Sequence, residues 1–308
     1  MTLLLDNARL IDPDTGEDRL GSLVIDDGKI AALDAAPRAA RIIDCGGLCL
    51  APGIIDIGVK ICEPGERHKE SFRSGGLAAA RGGVTTMVTR PDTDPVIDTP
   101  EMLEFHRRRA SEASPVHVLP MAALTKARAG AEMTEIGFLQ DAGAVAFTDC
   151  DRPVPNPKTL SRAMTYAAGL GALVIGHPQE PSLSAGAAMT SGQYASQLGL
   201  PAVSPLAERM GLERDLALVE ATGVRYHADQ ITTAAALPAL ERAKTAGLPV
   251  TAGTSIHHLT LNLLDVGGYA TFFKVKPPLR SEEDRLAMIE ALREVVDRGA
   301  RRHRQPGG

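Results

Sequence analysis

The chain has 308 residues, a formal net charge of -5 and a hydrophobic content of 44%, which is enough to bury one large core or two smaller ones. This composition excludes collagenous, disordered and disulfide-stapled proteins. Because acidic and basic residues are interspersed and aromatic residues make up only 3%, we expect neither nucleic acid nor a membrane as a partner.

The cysteine pattern indicates a reducing compartment. Cys45, Cys49, Cys62 and Cys150 lack the spacing of a metal-binding knuckle. We find neither a signal peptide nor an apolar run of about 18 residues, and we therefore expect a cytoplasmic protein. Cys45 and Cys49 are expected to be buried as small apolar side chains.

Residues 1–50 are predicted to form part of a small antiparallel β domain. Turn sequences, one of which contains the hairpin signal Asp27-Gly28, separate short apolar or alternating runs. These runs lie at 3–5, 8–11, 22–25 and 29–33. A β unit of this size is too small to fold alone.

Residues 51–295 are predicted to form a (β/α) barrel, because continuous apolar strands alternate with Ala-rich helical segments. The predicted strands are 53–59, 84–90, 116–122, 144–149, 172–177, 224–229 and 248–254. The predicted helices include 71–82, 100–112, 158–170, 212–222, 233–246 and 281–294. Polar residues at the carboxyl ends of the strands place the expected chemistry on that face. The turn-rich region 178–206 is predicted to be a loop or lid over it.

Seven β-α units are found where a barrel needs eight. Residues 296–308 form a basic tail that cannot be a buried barrel strand, since it holds several arginines and no acid after Asp297. Two explanations remain open. The protein is either a short one or the product of a truncation or frame shift, and the abrupt change of composition favours the second.

Several motifs resemble those of the dihydroorotases of the amidohydrolase superfamily, specifically the long form. In chain order these motifs are 51–57 (APGIIDI), 63–65 (EPG), 82–98 (GGVTTMVTRPDTDPVID), 143–149 (GAVAFTD), 176–177 (GH), 226–227 (YH), 257–259 (HHL) and 274–280 (KVKPPLR). The resemblance extends to about residue 292. It implies an α/β fold, a distorted (β/α)8 barrel with a small β domain, in which this chain lacks strand eight and its catalytic Asp.

The resemblance also implies a zinc centre that activates water for the hydrolysis of a cyclic amide. Five residues occupy the family's metal positions: Gly58, Lys60, Asp149, His177 and Gln230. Only Asp149 and His177 are of a ligand type that the family uses. Glycine offers no ligand, and the Lys60 ammonium would repel a dication. We therefore expect no bound metal, or zinc if any metal is retained.

The family's substrate positions are altered as well. Cys62 stands where the family has an Arg that binds the substrate carboxylate, and Asp92 and Lys276 stand where it has Asn. An acid at residue 92 would repel a carboxylate, although Lys276 would partly offset this repulsion.

The remaining polar residues near these motifs have simpler interpretations. Lys60 is expected to form an ion pair with Asp149 more readily than to act as a base or a Schiff-base former. His257 and His258 are interpreted as neighbours on a strand that point to opposite faces and cannot share an ion. His227 is interpreted as a histidine with a hydrogen-bond partner in the barrel.

Three hypotheses for function remain open. In the first, the protein is a non-catalytic dihydroorotase homologue of pyrimidine biosynthesis and a structural partner of aspartate carbamoyltransferase, a role that the resemblance implies for metal-less members, within an oligomer. In the second, it is an active dihydroorotase or related cyclic amidohydrolase that hydrolyses dihydroorotate to carbamoyl aspartate with an altered metal centre. In the third, the open barrel is not a stable protein. We identify no catalytic residue.

Overall fold

The structure, a computed structural model, describes residues 2–35 and 41–303, and the side chains of the second range up to residue 294. The chain divides into two compact units. One contains Met1–Ile54 and Arg293–Gly308, and the other contains Ile55–Leu292. The sequence predicts this division after residue 50. The predicted basic tail at 296–308 lies outside the residues whose side chains are described.

The first unit contains a mixed β-sheet. Its strands are β1 Leu3–Asp12, β2 Glu17–Asp26, β3 Lys29–Leu33, β4 Arg41–Asp44 and β5 Cys49–Leu50. Their order in the sheet is β3-β2-β1-β4, and β5 also pairs with β1. Asp27 and Gly28 both have positive φ, at 48° and 74°, as a two-residue hairpin turn between β2 and β3 requires. The expectation that Cys45 and Cys49 are buried is wrong: Cys45 is half-buried and Cys49 is exposed.

The second unit contains two three-stranded parallel sheets and a small separate pair of strands. The strands are β6 Ile54–Val59, β7 Val84–Thr89, β8 His117–Pro120, β9 Leu173–Gly176, β10 Met189–Thr190, β11 Ala202–Val203, β12 Arg225–Ala228 and β13 Val250–Ala252. The two sheets have the orders β6-β7-β8 and β13-β12-β9, and the separate pair is β10-β11. Bridges from Ala122 to Phe147 and from Phe147 to Val174 connect the two sheets. Strand positions therefore follow one another around the barrel in chain order.

Helices follow most of these strands. They are α1 Phe72–Arg81, α2 Pro100–Ala113, α3 Ile136–Asp141, α4 Pro157–Gly169, α5 Pro181–Ser184, α6 Gln193–Leu198, α7 Leu206–Thr222, α8 Leu237–Thr245, α9 Ile256–Thr260 and α10 Glu282–His303. The longer ones begin at residues suited to helix N-termini. The Thr99 side chain accepts a hydrogen bond at the start of α2, and Asn156 does the same for α4; Pro follows each of them.

Successive side chains of a strand point to opposite faces. One face packs in the core between the strands and the helices, and the other faces the barrel interior. In β12, the buried Tyr226 donates a hydrogen bond of 2.6 Å to Asp215 of α7, whereas the next side chain, His227, bonds to Thr251 of β13 through Nδ1 at 2.8 Å. The interpretation of His227 as a histidine with a hydrogen-bond partner in the barrel agrees with this contact.

Three features differ from the sequence prediction. The predicted strand 144–149 is reduced to the single residue Phe147, which bridges to Ala122 and Val174. The predicted loop 178–206 contains α5, α6 and the β10-β11 pair. His257 and His258 lie on α9 and not on a strand, because β13 already ends at Ala252.

No strand follows β13 within residues 2–35 and 41–303. β6 is at one end of its sheet, and Ile55 and Ile57 on it are 61% and 58% exposed. In the same part of the chain, no helix has the length and apolar character needed to cross a membrane.

Candidate functional site

Both carboxylate oxygens of Asp149 accept hydrogen bonds from neighbouring residues. The residue is buried, and one carboxylate oxygen accepts hydrogen bonds from the backbone N–H groups of Leu124 and Thr125 at 3.1 and 3.0 Å. The other oxygen accepts from the Thr125 hydroxyl at 2.5 Å. Burial raises the pKa of Asp149 above its ordinary value, against the opposing effect of these hydrogen bonds. The carboxylate anchors the turn after β8.

His177 follows β9 and is 4% exposed. Its Nε2 atom is buried and has no hydrogen-bond partner among the described residues. Burial, together with the positive charges of Lys276, Arg90 and Arg280, lowers the pKa of His177 to about 3. The imidazole is therefore neutral at physiological pH.

Two altered metal positions, Gly58 and Lys60, lie at the end of the first barrel strand, β6. Gly58 has a φ of +93°, a conformation that a side chain would strain. Lys60 places its Nζ atom 3.3 Å from an oxygen of Asp92. The predicted ion pair between Lys60 and Asp149 is thus wrong, because the carboxylate nearest the ammonium is at the end of the neighbouring strand β7.

Asp92 is shared between two cations. Arg90, immediately after β7, donates to its carboxylate through Nε at 3.2 Å and Nη2 at 3.0 Å. The Asp92 side chain is only 5% exposed, so the negative charge is held between the Lys60 ammonium and the Arg90 guanidinium. The expected repulsion of a carboxylate by Asp92 is therefore largely offset by its neighbours.

A second carboxylate continues this arrangement. Asp151 lies 3.7 Å from Arg90, 3.4 Å from Lys276 and 2.6 Å from Arg128. The barrel mouth is the face at the carboxyl ends of the barrel strands. We use the name mouth ion-pair chain for the connected side chains Lys60, Asp92, Arg90, Asp151 and Lys276. Three of its members are altered family positions, and the other two, together with Arg128, were not identified from the sequence.

The mouth ion-pair chain has an excess of positive charge. With Arg128 it contains four cationic side chains and two carboxylates. Such an excess opposes the binding of a divalent cation and favours anions.

The last metal position does not complete a site. Gln230 follows β12 with a φ of 58°, and an amide is a poor zinc ligand. Its neighbour Asp229 has a pKa raised by burial. Among the described residues, no three His, Cys, Asp or Glu side chains are grouped so that they could hold a metal ion. The residues present therefore do not fit the zinc centre that the resemblance implies.

Residues close to the altered family positions are held by buried hydrogen bonds. Cys62 is half-buried and precedes Glu63, whose buried carboxylate accepts from Arg109 at 3.0 and 3.3 Å and from the Phe72 backbone N–H at 3.2 Å. The carboxylate thus joins the strand-one loop to α1 and α2. His258 has a framework role too, with hydrogen bonds to Ser255 at 2.8 Å and to the Pro277 carbonyl at 3.1 Å.

A buried ion pair between Glu208 and Arg280 was not predicted from the sequence. Glu208 of α7 is fully buried, and Arg280 is 2% exposed. Arg280 lies 3.2 Å from the Glu208 carboxylate, which also accepts from the backbone N–H groups of Thr232 and Thr233 at 2.8 Å each. The available signal was a charged residue at the end of the otherwise apolar run 277–280.

Comparison with known proteins identifies relatives of the whole chain. Residues 47–236 match the family model described as dihydro-orotase-like. A dihydroorotase-like protein of Pseudomonas putida is 40% identical over 309 residues, covering 99% of this chain and 73% of the relative. A dihydroorotase of Syntrophus aciditrophicus is 40% identical over 298 residues, covering 96% of this chain and 70% of the relative.

Solved structures agree on the fold. An L-hydantoinase (dihydropyrimidinase) from Arthrobacter aurescens superimposes with a TM-score of 0.81 at 22% identity, covering 96% of this chain and 67% of that protein. A D-hydantoinase gives a TM-score of 0.78 at 22% identity with the same coverage. The predicted amidohydrolase-type barrel is confirmed by these similarities.

Proposed function

Since the chain belongs to the dihydroorotase-like family, we propose that it is a member that has exchanged its metal centre for the mouth ion-pair chain and acts without hydrolysis. Its proposed role is that of a structural partner of aspartate carbamoyltransferase in pyrimidine biosynthesis.

One observation carries the non-catalytic part of the proposal. Lys60, Asp92 and Lys276 depart from the family's pattern separately in the sequence, yet they lie in one connected chain of ion pairs. Hydrolysis of a cyclic amide needs an activated water and a positive centre for the developing oxyanion, which in this family a metal supplies. The ion-pair chain offers positive charge, but both of its carboxylates are held in ion pairs, and the described residues contain no group of ligands for a metal that would activate water.

The alternative of an active enzyme with an altered metal centre is less well supported. Such a centre would rest on Asp149 and His177, but both Asp149 oxygens already accept hydrogen bonds from residues 124 and 125. Two ligands are fewer than the three that a catalytic zinc normally takes from the protein.

The partnership rests on the resemblance and on the preserved framework. Glu63 and His258 keep their buried hydrogen bonds although the chemistry they surrounded is altered. Selection for a surface that another protein binds would maintain such a scaffold without catalysis.

The experiment is size-exclusion chromatography of the full chain with aspartate carbamoyltransferase from the same organism, coupled to a dihydroorotate hydrolysis assay of the same fractions. We expect the two proteins to elute together, with no hydrolysis in the shared peak. Separate elution over a range of micromolar concentrations would remove the partnership, and hydrolysis that follows this chain through the column would remove the non-catalytic role.

A further inference from the structure

A cleft beside the mouth ion-pair chain is lined by cationic groups. Its volume is about 360 Å³, and the residues that line it include Arg152, Lys274, Lys276 and the segment 184–187. No Asp or Glu is among the residues that line it. All of these residues belong to the second unit.

The cations of this cleft are short of negative partners. Lys276 has Asp151 at 3.4 Å, but that carboxylate is also 2.6 Å from Arg128 and 3.7 Å from Arg90. Within the described part of the chain, no carboxylate lies within ion-pair distance of Arg152 or Lys274. The cleft therefore has an uncompensated positive charge that would attract an anion.

A buried polar side chain also borders the cleft. His177 lines it, is 4% exposed and has an Nε2 atom without a hydrogen-bond partner among the described residues. A buried polar atom left unpaired costs free energy, so a ligand that pairs with it gains affinity. The imidazole can provide one N–H donor while it is neutral.

We propose that this cleft binds a small anion with at least two negative charges, either a phosphate group or a dicarboxylate. The positive charge comes from Arg152, Lys274 and Lys276. His177 donates a hydrogen bond from its neutral imidazole. His177 and Lys276 are among the family's metal or substrate positions, whereas Arg152 and Lys274 are not among them. The inference stands independently of the transferase partnership.

The test is isothermal titration calorimetry of the full chain with inorganic phosphate and, separately, with succinate, both at constant ionic strength. We expect saturable binding of at least one of them at one site per chain, weakened by added NaCl because charges are screened. Preference for one of the two probes identifies the chemical source of the ligand.

Variants locate the site. The double variant Arg152→Gln, Lys274→Gln replaces two side chains that are exposed in the native chain. Neither takes part in the ion pairs described above, so folding should be preserved. We expect its affinity to fall at least roughly tenfold, since charge-assisted hydrogen bonds are lost. The control Lys158→Gln, at an exposed position on α4, should bind like the unaltered chain. No saturable binding of either probe, or equal binding by the double variant, would overturn the proposal.

Discussion

At the scale of single residues, the altered positions of the mouth explain one another. Lys60 would be unfavourable in a site that binds a dication, and Asp92 would be unfavourable in one that binds a carboxylate. Placed 3.3 Å apart, each supplies the charge that the other needs. Arg90 completes the arrangement from the other side of Asp92.

The variant Asp92→Asn tests this compensation. It leaves the partly buried Arg90 without its main carboxylate, so we expect the free energy of unfolding to fall by about 2 kcal/mol. Urea denaturation measures the change.

A matched control uses the exposed pair Lys126 and Glu132, whose side chains are 50% and 70% exposed. Glu132→Gln should change stability by less than about 0.5 kcal/mol, because exposed ion pairs contribute little. If Asp92→Asn were as mild as this control, the ion-pair chain would be an arrangement without energetic importance.

At the scale of elements, α7 connects the mouth to the layer of helices. Glu208, near its start, accepts hydrogen bonds from the segment after β12 and binds Arg280, which follows the apolar run 277–279. Two loops that are distant in sequence are thereby fixed to one helix. This arrangement keeps the Lys276 side of the mouth in place.

Glu208→Gln is expected to destabilise the protein by about 3–5 kcal/mol, since it leaves the buried Arg280 guanidinium without a counter-charge. The same helix provides the control. Glu213 pairs with Arg209 and Arg242, and its side chain is 37% exposed, so Glu213→Gln should cost less than about 1 kcal/mol. Comparison of the two chemical denaturation midpoints measures the difference, and similar losses would contradict the role assigned to Glu208.

Also at this scale, the sequence predicts elements better than it predicts contacts between them. Strand β7 and helix α2 are predictable because an apolar run and the Thr99-Pro100 start are local signals. The pairing of Lys60 with Asp92 and that of Glu208 with Arg280 depend on which loops meet, and no local pattern contains that information. The reduction of strand 144–149 to a bridge at Phe147 likewise depends on its neighbours.

At the scale of the whole molecule, a family scaffold is combined with an altered mouth. The fold agrees with the hydantoinase structures over 96% of the chain, and buried polar groups such as Glu63, His258 and Glu208 have their partners. At the mouth, positive charge and hydrogen-bonded carboxylates replace a ligand set. We therefore propose that this barrel does not bind a catalytic metal ion.

The most direct measurement is the zinc content per chain, determined by elemental mass spectrometry after incubation with excess zinc and desalting, together with dihydroorotate turnover of the same sample. An active dihydroorotase treated identically is the control. We predict less than about a tenth of an equivalent of zinc and no turnover, because only two side chains of a suitable ligand type remain at the family's metal positions and Asp149 is already hydrogen-bonded. One or more equivalents of zinc with turnover would show that the barrel retains a catalytic metal centre.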